Sequence, residues 1–266
     1  MKIQFFSDAH VDINRIQNPE EFLNTSEKVD FFLDAGDTGS FTATNLFYKN
    51  KFWEKKNVNF ISGNHLGYDS SITLEKAEEA LRNDFFLANN ISFLQNSEKK
   101  LSKNLSVLGT TLWTDFNVFN TKENNLKKFC MEKCLKSIND YNQIRFNENC
   151  FFSPKQSINL FNISMHFLNK KISQNKNKKF IILTHHAPSL KSCSNTYKDN
   201  VISSAFCSNL EDFIEKHSNK ILIWIHGHMH NTSSYKIKNT YIFCNPLGYK
   251  RFNENSGFIS NAILDI

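Results

Sequence analysis

The feature that most constrains the fold is a series of short apolar runs with the composition of β-strands. Nine of them recur along the 266-residue chain, and each is three to six residues long. They cover residues 3–6, 31–33, 58–61, 91–94, 107–112, 180–183, 221–225, 241–244 and 262–266. Nine strands exclude a simple helical protein. None of the runs approaches the roughly 20 residues that a membrane-spanning helix needs.

Polar-apolar stretches of helical period separate the early runs. Residues 20–28 and 71–83 both have this spacing, and each lies between two predicted strands. Alternating strands and helices are typical of crossover units, which join parallel strands. We therefore predict an α/β fold whose first half is largely parallel.

The segment 116–179 differs from the rest of the chain because it is rich in Asn, Lys and Phe. We predict helices at 122–138 and 154–171 within it, and an exposed loop at 173–179. No Gly, Ser or Pro linker flanks the segment, which argues against a separate cap domain. We interpret residues 1–266 as one domain that carries a mainly helical insertion at about 116–179.

The cysteines and the N-terminal residues indicate the cellular compartment in which we expect the protein. The six cysteines are scattered and form no Cys-x-x-Cys pair, so we interpret them as reduced thiols. The chain opens with Met-Lys-Ile-Gln-Phe-Phe-Ser-Asp, which lacks the basic and apolar regions of a signal peptide. We expect a cytoplasmic protein that is not associated with a membrane.

Ligand-type side chains follow the first three predicted strands. Asp8 and His10 alternate along the end of the first strand and so project from the same side. Asp37 follows the second strand, after Gly36, and Asn64 follows the third. These three strand ends recur at about 30 residues, the length of a strand-helix-strand unit. They should meet at one sheet edge, where α/β proteins usually bind ligands.

Two later strands end in histidines. One delivers His185 and His186, and the other delivers His226, His228 and His230. With His10 and with His65, which follows Asn64, seven of the nine histidines stand at strand ends. Imidazole and carboxylate ligands suit Zn, Mn, Fe or Ni, and the absence of clustered thiols argues against a structural zinc site.

In chain order, these residues form Asp-x-His, Gly-Asp, Gly-Asn-His, His and Gly-His-x-His motifs, and this series resembles the calcineurin-like metallophosphoesterase family. Residues 109–115, 139–141 and 245–249 also look like those of compact bacterial or phage members. The resemblance implies a four-layer αββα sandwich of two mixed sheets, with a dinuclear metal site at the strand ends. It further implies that one metal is held by Asp8, His10 and His230, the other by Asn64, His185 and His228, and that Asp37 bridges them.

The resemblance implies two divalent or mixed-valence ions, with Mn, Fe, Zn and Ni as candidates. Two adjacent cations lower the pKa of a bridging water, hold phosphate oxygens and offset charge during an in-line displacement. The expected activity is therefore hydrolysis of a phosphomonoester or phosphodiester by direct attack of the bridging hydroxide. His65 cannot easily be a ligand beside Asn64, so we expect it to act as the general acid for the leaving oxygen.

The chain departs from the family pattern at two positions near the catalytic histidine. Many members place an Asp three residues after the bridging Asp, and here that position is Ser40. Many also have an acidic residue directly after Gly-Asn-His, where this chain has Leu66. Carboxylate partners control the tautomer and basicity of an imidazole. The sequence therefore leaves open what orients His65.

Three functions remain open from the sequence. We favour hydrolysis of a small phosphorylated substrate, with nucleotides among the candidates. A nuclease of the same chemistry ranks lower, because the net charge of +6 is a mild excess and no basic patch lies near a motif. The third alternative is a non-catalytic scaffold that keeps the fold. The flanking histidines, His186 and His226, are expected to support ligands or pack in the core.

Overall fold

Two β-sheets form the centre of the protein in this computed structural model, which describes residues 1–119, 124–175 and 177–266, without the side chain of Asn124. The first sheet contains β1 (Lys2–Phe6), β2 (Phe31–Asp34), β3 (Val58–Phe60), β4 (Ile91–Phe93) and β13 (Ile263–Asp265). Its strand order is β13-β1-β2-β3-β4, and only β13 runs antiparallel to its neighbour.

The second sheet contains β5 (Ser97–Lys100), β6 (Leu105–Thr110), β9 (Lys179–Thr184), β10 (Ile221–His226), β11 (Ser233–Ile237) and β12 (Thr240–Cys244). Its strand order is β11-β12-β10-β9-β6-β5. The three inner pairs are parallel and the two edge pairs are antiparallel, so both sheets are mixed.

Helices and one hairpin complete the chain. The helices are α1 (Val11–Asn14), α2 (Phe41–Tyr48), α3 (Leu74–Phe85), α4 (Asn124–Ser137), α5 (Asp140–Gln143), α6 (Pro154–Gln174) and α7 (Glu211–His217). The hairpin pairs β7 (Arg145–Asn147) with β8 (Cys150–Phe151). Within the described ranges, no helix is both long and apolar enough to cross a membrane.

Alternating side chains divide the strands between separate cores. On β9, Ile181 and Leu183 are buried in the cluster between the two sheets, which also takes Ile3 from β1. Phe180 and Ile182 alternate with these residues and are buried on the opposite face of β9, against α6 and α7. A strand buried on both faces must lie in an inner layer.

The first sheet has the same arrangement on its outer face. Phe60 of β3 is fully buried there, with Tyr48 of α2 and with Leu81 and Phe85 of α3. The rings of Tyr48 and Phe60 are stacked with centroids 3.9 Å apart. Helices therefore cover the outside of each sheet, and the predicted four-layer αββα sandwich of two mixed sheets is confirmed.

The segment that we predicted as an insertion packs on the outer faces of both sheets, with α4 and α5 on the first sheet and α6 on the second. Cys134 of α4, Tyr141 of α5 and Ile144 are buried in the same cluster as Phe60. Because this segment has no separate apolar core among the described residues, we keep one domain as our interpretation. The segment is less purely helical than predicted, since it contains the β7–β8 hairpin.

All nine predicted strands are present, with ends that differ by two residues or fewer. Several helical predictions need correction. The predicted helix at 71–83 lies at Leu74–Phe85, because the side chain of Thr73 caps its first turn. Of the helix predicted at 122–138, residues 122 and 123 lie outside the described part of the chain, and α4 ends at Ser137. Part of the loop predicted at 173–179 belongs to α6 and β9, and residue 176 is not described.

The prediction of a helix at 20–28 is wrong. The structure has only a short 3₁₀ turn at Pro19–Glu21. The side chain of Glu21 accepts hydrogen bonds from the backbone N–H groups of Gln17 and Asn18, which closes this turn. Asn24 then accepts from the N–H of Ser26 in a further turn, which competes with helix formation.

Glu98 on the edge strand β5 joins α6 to the second sheet. Its carboxylate lies 3.0 Å from the ammonium of Lys171 and 2.9 Å from that of Lys178. Burial raises the pKa of Glu98, but the hydrogen bonds from these lysines outweigh burial and lower the pKa to about 2. The pair of lysines thus stabilises the ionised carboxylate.

We predict that Glu98→Gln lowers the free energy of unfolding at pH 7 by about 1–2 kcal/mol. Because the pKa of Glu98 is lower in the folded state, this stability is present above pH 4.5 and is lost as the pH falls towards 2. Urea unfolding at pH 7, 4 and 3 should therefore show the two proteins converging on acidification. The exposed Glu132→Gln serves as a control with little effect, and a pH-independent difference would contradict the prediction.

Candidate metal centre

The ends of strands from both sheets meet at one edge of the sandwich, and all seven candidate metal ligands lie there. From the first sheet, Asp8 and His10 follow β1, Asp37 follows β2 and Asn64 follows β3; from the second sheet, His185 follows β9, and His228 and His230 follow β10. All five strands are parallel to neighbours in their sheets, so their carboxyl ends point the same way.

The backbone at the strand ends adopts a conformation that non-glycine residues seldom adopt. Five candidate ligands have positive φ: Asp8 (53°), His10 (40°), Asp37 (55°), His228 (67°) and His230 (44°). Such left-handed residues each cost conformational energy and persist only where the surrounding structure holds them. Their concentration at one edge indicates a functional site.

The first group of candidate ligands contains Asp8, His10 and His230. One ligand atom from each lies within 4.8 Å of the others. The two Nε2 atoms of His10 and His230 are 3.0 Å apart, and Nε2 of His230 is 3.6 Å from Oδ1 of Asp8. These are the residues expected to hold one metal.

The second group contains Asp37, His185 and His228, again with ligand atoms within 4.8 Å of one another. Nε2 of His185 is 3.1 Å from Nδ1 of His228, 3.3 Å from Oδ2 of Asp37 and 3.0 Å from Oδ1 of Asn64. The same Oδ2 of Asp37 is 3.9 Å from Nε2 of His10. Asp37 therefore lies between the groups, at the position expected of a bridging ligand.

The candidate histidines differ in charge environment: burial lowers the pKa of His10 to about 3 and lowers that of His228, whereas carboxylates raise the pKa of His185 and His230. Burial lowers the pKa of His185, but the charge and hydrogen bond of Asp37 outweigh burial and raise that pKa to about 9. Burial likewise lowers the pKa of His230, but hydrogen bonds with Asp8 and Glu254 raise it to about 10. The carboxylates that favour a proton on these two rings also favour a cation, and the oxygen and nitrogen donors suit a divalent transition metal.

Neighbouring backbone groups orient the candidate ligands. Nδ1 of His185 is 2.9 Å from the carbonyl oxygen of Ala35, so the ring donates there and leaves Nε2 free to accept a metal. The N–H of His228 donates to both oxygens of Asp8, at 3.0 Å each. These contacts fix the side chains of His185 and Asp8.

Gly63 of the Gly-Asn-His motif allows Asp37 to approach closely. A Cβ added at Gly63 would lie 1.9 Å from Oδ1 of Asp37, well inside van der Waals contact. That same oxygen accepts a hydrogen bond of 2.9 Å from the N–H of His65. The glycine is therefore needed for the position of the carboxylate between the two groups.

His65, the predicted general acid, lies beside the first group and is 8% exposed. Its Nε2 is 3.9 Å from Oδ2 of Asp37 and 3.2 Å from the hydroxyl of Tyr249. Its ring stacks on Tyr68 with centroids 4.1 Å apart. The sequence did not reveal Tyr68, because nothing in its local pattern separates it from a packing residue.

The two positions that depart from the family pattern have structural roles. Ser40 precedes α2, and its N–H donates to the side chain of Asp12. Leu66 is buried in the core of the first sheet. The rings of Tyr68 and His10 pack against that of His65, with centroids 4.1 Å and 4.4 Å away, and the hydroxyl of Tyr249 contacts its Nε2.

The flanking histidines are buried next to the candidate ligands, and both have protein partners. Nδ1 of His186 is 3.3 Å from the carbonyl oxygen of Thr111, and its ring is 4.4 Å from that of His228. Nε2 of His226 is 2.8 Å from the hydroxyl of Ser192. These contacts agree with the supporting role expected of both.

The fold and the site define a metal-binding hydrolase of phosphoesters. Residues 1–232 match the family model of the calcineurin-like phosphoesterases, and the chain belongs to that family. An uncharacterized protein of Acanthamoeba polyphaga mimivirus is 25% identical over 290 residues, covering 99% of this chain and 96% of the viral protein.

Two solved structures have a similar fold. One is the phosphopantetheinyl hydrolase of Mycobacterium tuberculosis, with a TM-score of 0.68 and 12% identity, over 94% of this chain and 90% of that one. The other is a dimetal phosphatase from Danio rerio, with a TM-score of 0.55 and 14% identity, over 94% of this chain and 88% of that one. At these identities the likeness concerns the fold.

We predict that Gly63→Ala weakens metal binding by about tenfold or more, because the added methyl group displaces Asp37. Titration of the metal-free protein with Mn²⁺, followed by calorimetry, measures the effect. Gly39→Ala is a matched control, since its added Cβ would meet the nearest atom, Cβ of Ala43, at 3.1 Å. Unchanged Mn²⁺ affinity in Gly63→Ala would show that Asp37 does not bind the metal.

Proposed function

We propose that this chain is a dinuclear metallophosphoesterase that hydrolyses a phosphomonoester or a phosphodiester. The observation that carries the proposal is that Asp37 groups with His185 and His228, while its Oδ2 also lies 3.9 Å from Nε2 of His10 in the group of Asp8, His10 and His230. Membership of the calcineurin-like family supports the same reaction class.

In this proposal, Asp8, His10 and His230 hold one ion, Asn64, His185 and His228 hold the other, and Asp37 contacts both. When bound, the pair of ions would activate a water molecule and bind the phosphate oxygens. The donors favour Mn, Fe, Zn or Ni, and we choose Mn²⁺ for the assays. The buried carboxylates and imidazoles keep this edge of the sandwich preorganised, so little reorganisation is needed during the reaction.

The role of His65 is to donate a proton to the leaving oxygen. Its Nε2 faces Asp37 and the hydroxyl of Tyr249, at the side of the centre where the first group lies. Since no carboxylate partner is positioned by Ser40 or Leu66, we infer that stacking on Tyr68 and contact with Tyr249 fix the ring. Phosphodiesters and activated esters with good leaving groups would depend least on this proton.

A cavity of about 660 Å³ beside Tyr68 is our candidate for binding the alcohol part of the substrate. Tyr68 lines this cavity and its ring also stacks on that of His65, so Tyr68 lies between the cavity and the catalytic histidine. The hairpin β7–β8 contributes Arg145 and the exposed ring of Phe151, and α5 contributes Asn142. A cation, an aromatic ring and an amide would suit a polar, phosphorylated substrate such as a nucleotide.

Arg145→Ala should raise the KM for substrates that fill this cavity while leaving turnover of p-nitrophenyl phosphate unchanged. The substrates to compare are phosphomonoesters, cyclic nucleotides, dinucleotides and oligonucleotides with Mn²⁺. Lys103→Ala is the control. Lys103 precedes β6, so it lies near the amino end of that strand, opposite the carboxyl ends that carry the candidate ligands. Equal KM values in all three proteins would remove the cavity from the substrate site.

Metal-reconstituted protein should hydrolyse p-nitrophenyl phosphate or its bis-ester, and Asp37→Ala should lose at least about 100-fold in rate, because it removes the ligand shared by both ions. Release of p-nitrophenolate measures the reaction directly. If both proteins are inert with Mn, Ni, Zn and Mg, the non-catalytic scaffold is the better account. Salt-dependent cleavage of oligonucleotides in preference to small esters would favour the nuclease.

We also propose that the enzyme works in the cytoplasm on a small phosphorylated partner. All six cysteines are unpaired in the structure, a state that a reducing compartment maintains. Five of the six thiols are buried and only Cys150 is exposed.

A further inference from the structure

Two carboxylates outside the strand-end motifs contact candidate ligands from the side away from the centre. Asp140 lies in α5 of the insertion and is 4% exposed. Glu254 follows the 3₁₀ turn Lys250–Phe252, near the end of the chain. One contacts Asn64 and the other contacts His230, so each touches a different group of ligands.

Asp140 determines which end of the Asn64 side chain faces the centre. Nδ2 of Asn64 donates to Oδ1 of Asp140 at 2.9 Å. A carboxylate only accepts, so the amide must present its NH₂ to Asp140 and its oxygen to the opposite side. That oxygen, Oδ1, lies 3.0 Å from Nε2 of His185. An amide binds a metal through its oxygen, so this orientation is the productive one.

Tyr68 holds Asp140 in place for this contact. Its hydroxyl donates to the same Oδ1 of Asp140 at 2.7 Å, while its ring stacks on His65. Asp140 has no cationic side chain within ion-pair distance in the described residues. Burial of a carboxylate without a cation is costly, and the hydrogen bonds from Asn64 and Tyr68 offset part of that cost.

Glu254 has the corresponding contact with His230. Its Oε2 is 2.8 Å from Nδ1 of His230, while Nε2 of the same ring faces Asp8 and His10. A proton held on Nδ1 by the carboxylate leaves Nε2 as the free lone pair and increases its basicity. The ring is therefore fixed in tautomer and in direction.

The chain turn around Glu254 is built for this contact. The same Oε2 accepts from the N–H of Tyr249 at 2.6 Å. Gly248 has a φ of +71°, and a Cβ added there would lie 2.5 Å from Oε2. A side chain at position 248 would therefore displace the carboxylate.

We propose that Asp140 and Glu254 are positioning residues that each support one half of a two-metal centre. Asp140 supports the half that contains Asn64, and Glu254 supports the half that contains His230. The assignment rests on the proposed ligand set. It makes the insertion, through α5, part of the metal site as well as part of the wall of the cavity.

The test is titration of the metal-free protein with Mn²⁺, with calorimetry for affinity and electron paramagnetic resonance to distinguish paired from single ions. Wild-type protein should bind two ions with a paired signal. Asp140→Ala and Glu254→Ala should each weaken one binding step by about 10–100-fold, the usual effect of losing such a partner. The signal should then become that of a single ion at intermediate Mn²⁺.

The double variant shows whether the two carboxylates act on different halves. If they do, Asp140→Ala with Glu254→Ala weakens both binding steps. If both carboxylates act on the same half, the double variant still binds one ion tightly, and the assignment is overturned. Asp140→Asn and Glu254→Gln keep an oxygen acceptor and should recover part of the lost affinity. Glu98→Gln, whose carboxylate pairs with Lys171 and Lys178 and contacts no candidate ligand, should bind two ions like wild type.

Failure of this assignment differs from failure of the proposed ligand set. Wild-type protein that binds fewer than two ions overturns the ligand set and the assignment together. Two ions in the wild type and unchanged affinities in both alanine variants overturn the assignment alone. Cooperative unfolding of each metal-free variant in urea establishes that a lost ion reflects the site and not an unfolded chain.

Discussion

The position of Asp37 between two groups of ligands is the constraint on which the rest of the site depends. Its Oδ2 contacts His10 of the first sheet at 3.9 Å and His185 of the second at 3.3 Å. Both contacts require the two sheets to be packed with their strand ends at the same edge. The apolar layer between the sheets, which includes Ile181 and Leu183, holds them in that arrangement. Core packing and site geometry are therefore linked.

The strand ends that carry the candidate ligands are energetically unfavourable when considered alone. Buried carboxylates lose hydration, and five candidate ligands have left-handed backbones. Local hydrogen bonds offset part of that cost, as when the N–H of His228 donates to Asp8 and that of His65 donates to Asp37. A bound cation would offset more. The stable layers around the edge thus support a site that is unfavourable by itself.

The strands that deliver the ligands could be predicted because each is a short, mostly apolar run that is buried on both faces. Edge strands such as β5 and β11 could not, since Ser97–Lys100 and Ser233–Ile237 are mostly polar. The predicted helix at 20–28 failed because side chains of the segment bond to its own backbone. The candidate ligands followed from strand ends and motif order. Residues 139–141 resembled the family, but the contact of Asp140 with Asn64 could not be predicted, and neither could the contacts of Glu254 and Tyr68, because tertiary packing sets them.

The contact between Asp140 and Asn64 has a consequence for how such a protein could change over time. The insertion that carries Asp140 also forms a wall of the cavity beside Tyr68. If the cavity binds the substrate as we propose, selectivity and metal binding would not be inherited as separate modules. Replacing the segment with an unrelated one would remove the acceptor for the Asn64 amide at the same moment as it reshaped the cavity. New substrates would be reached more readily by point changes at the β7–β8 hairpin than by exchange of the whole insertion.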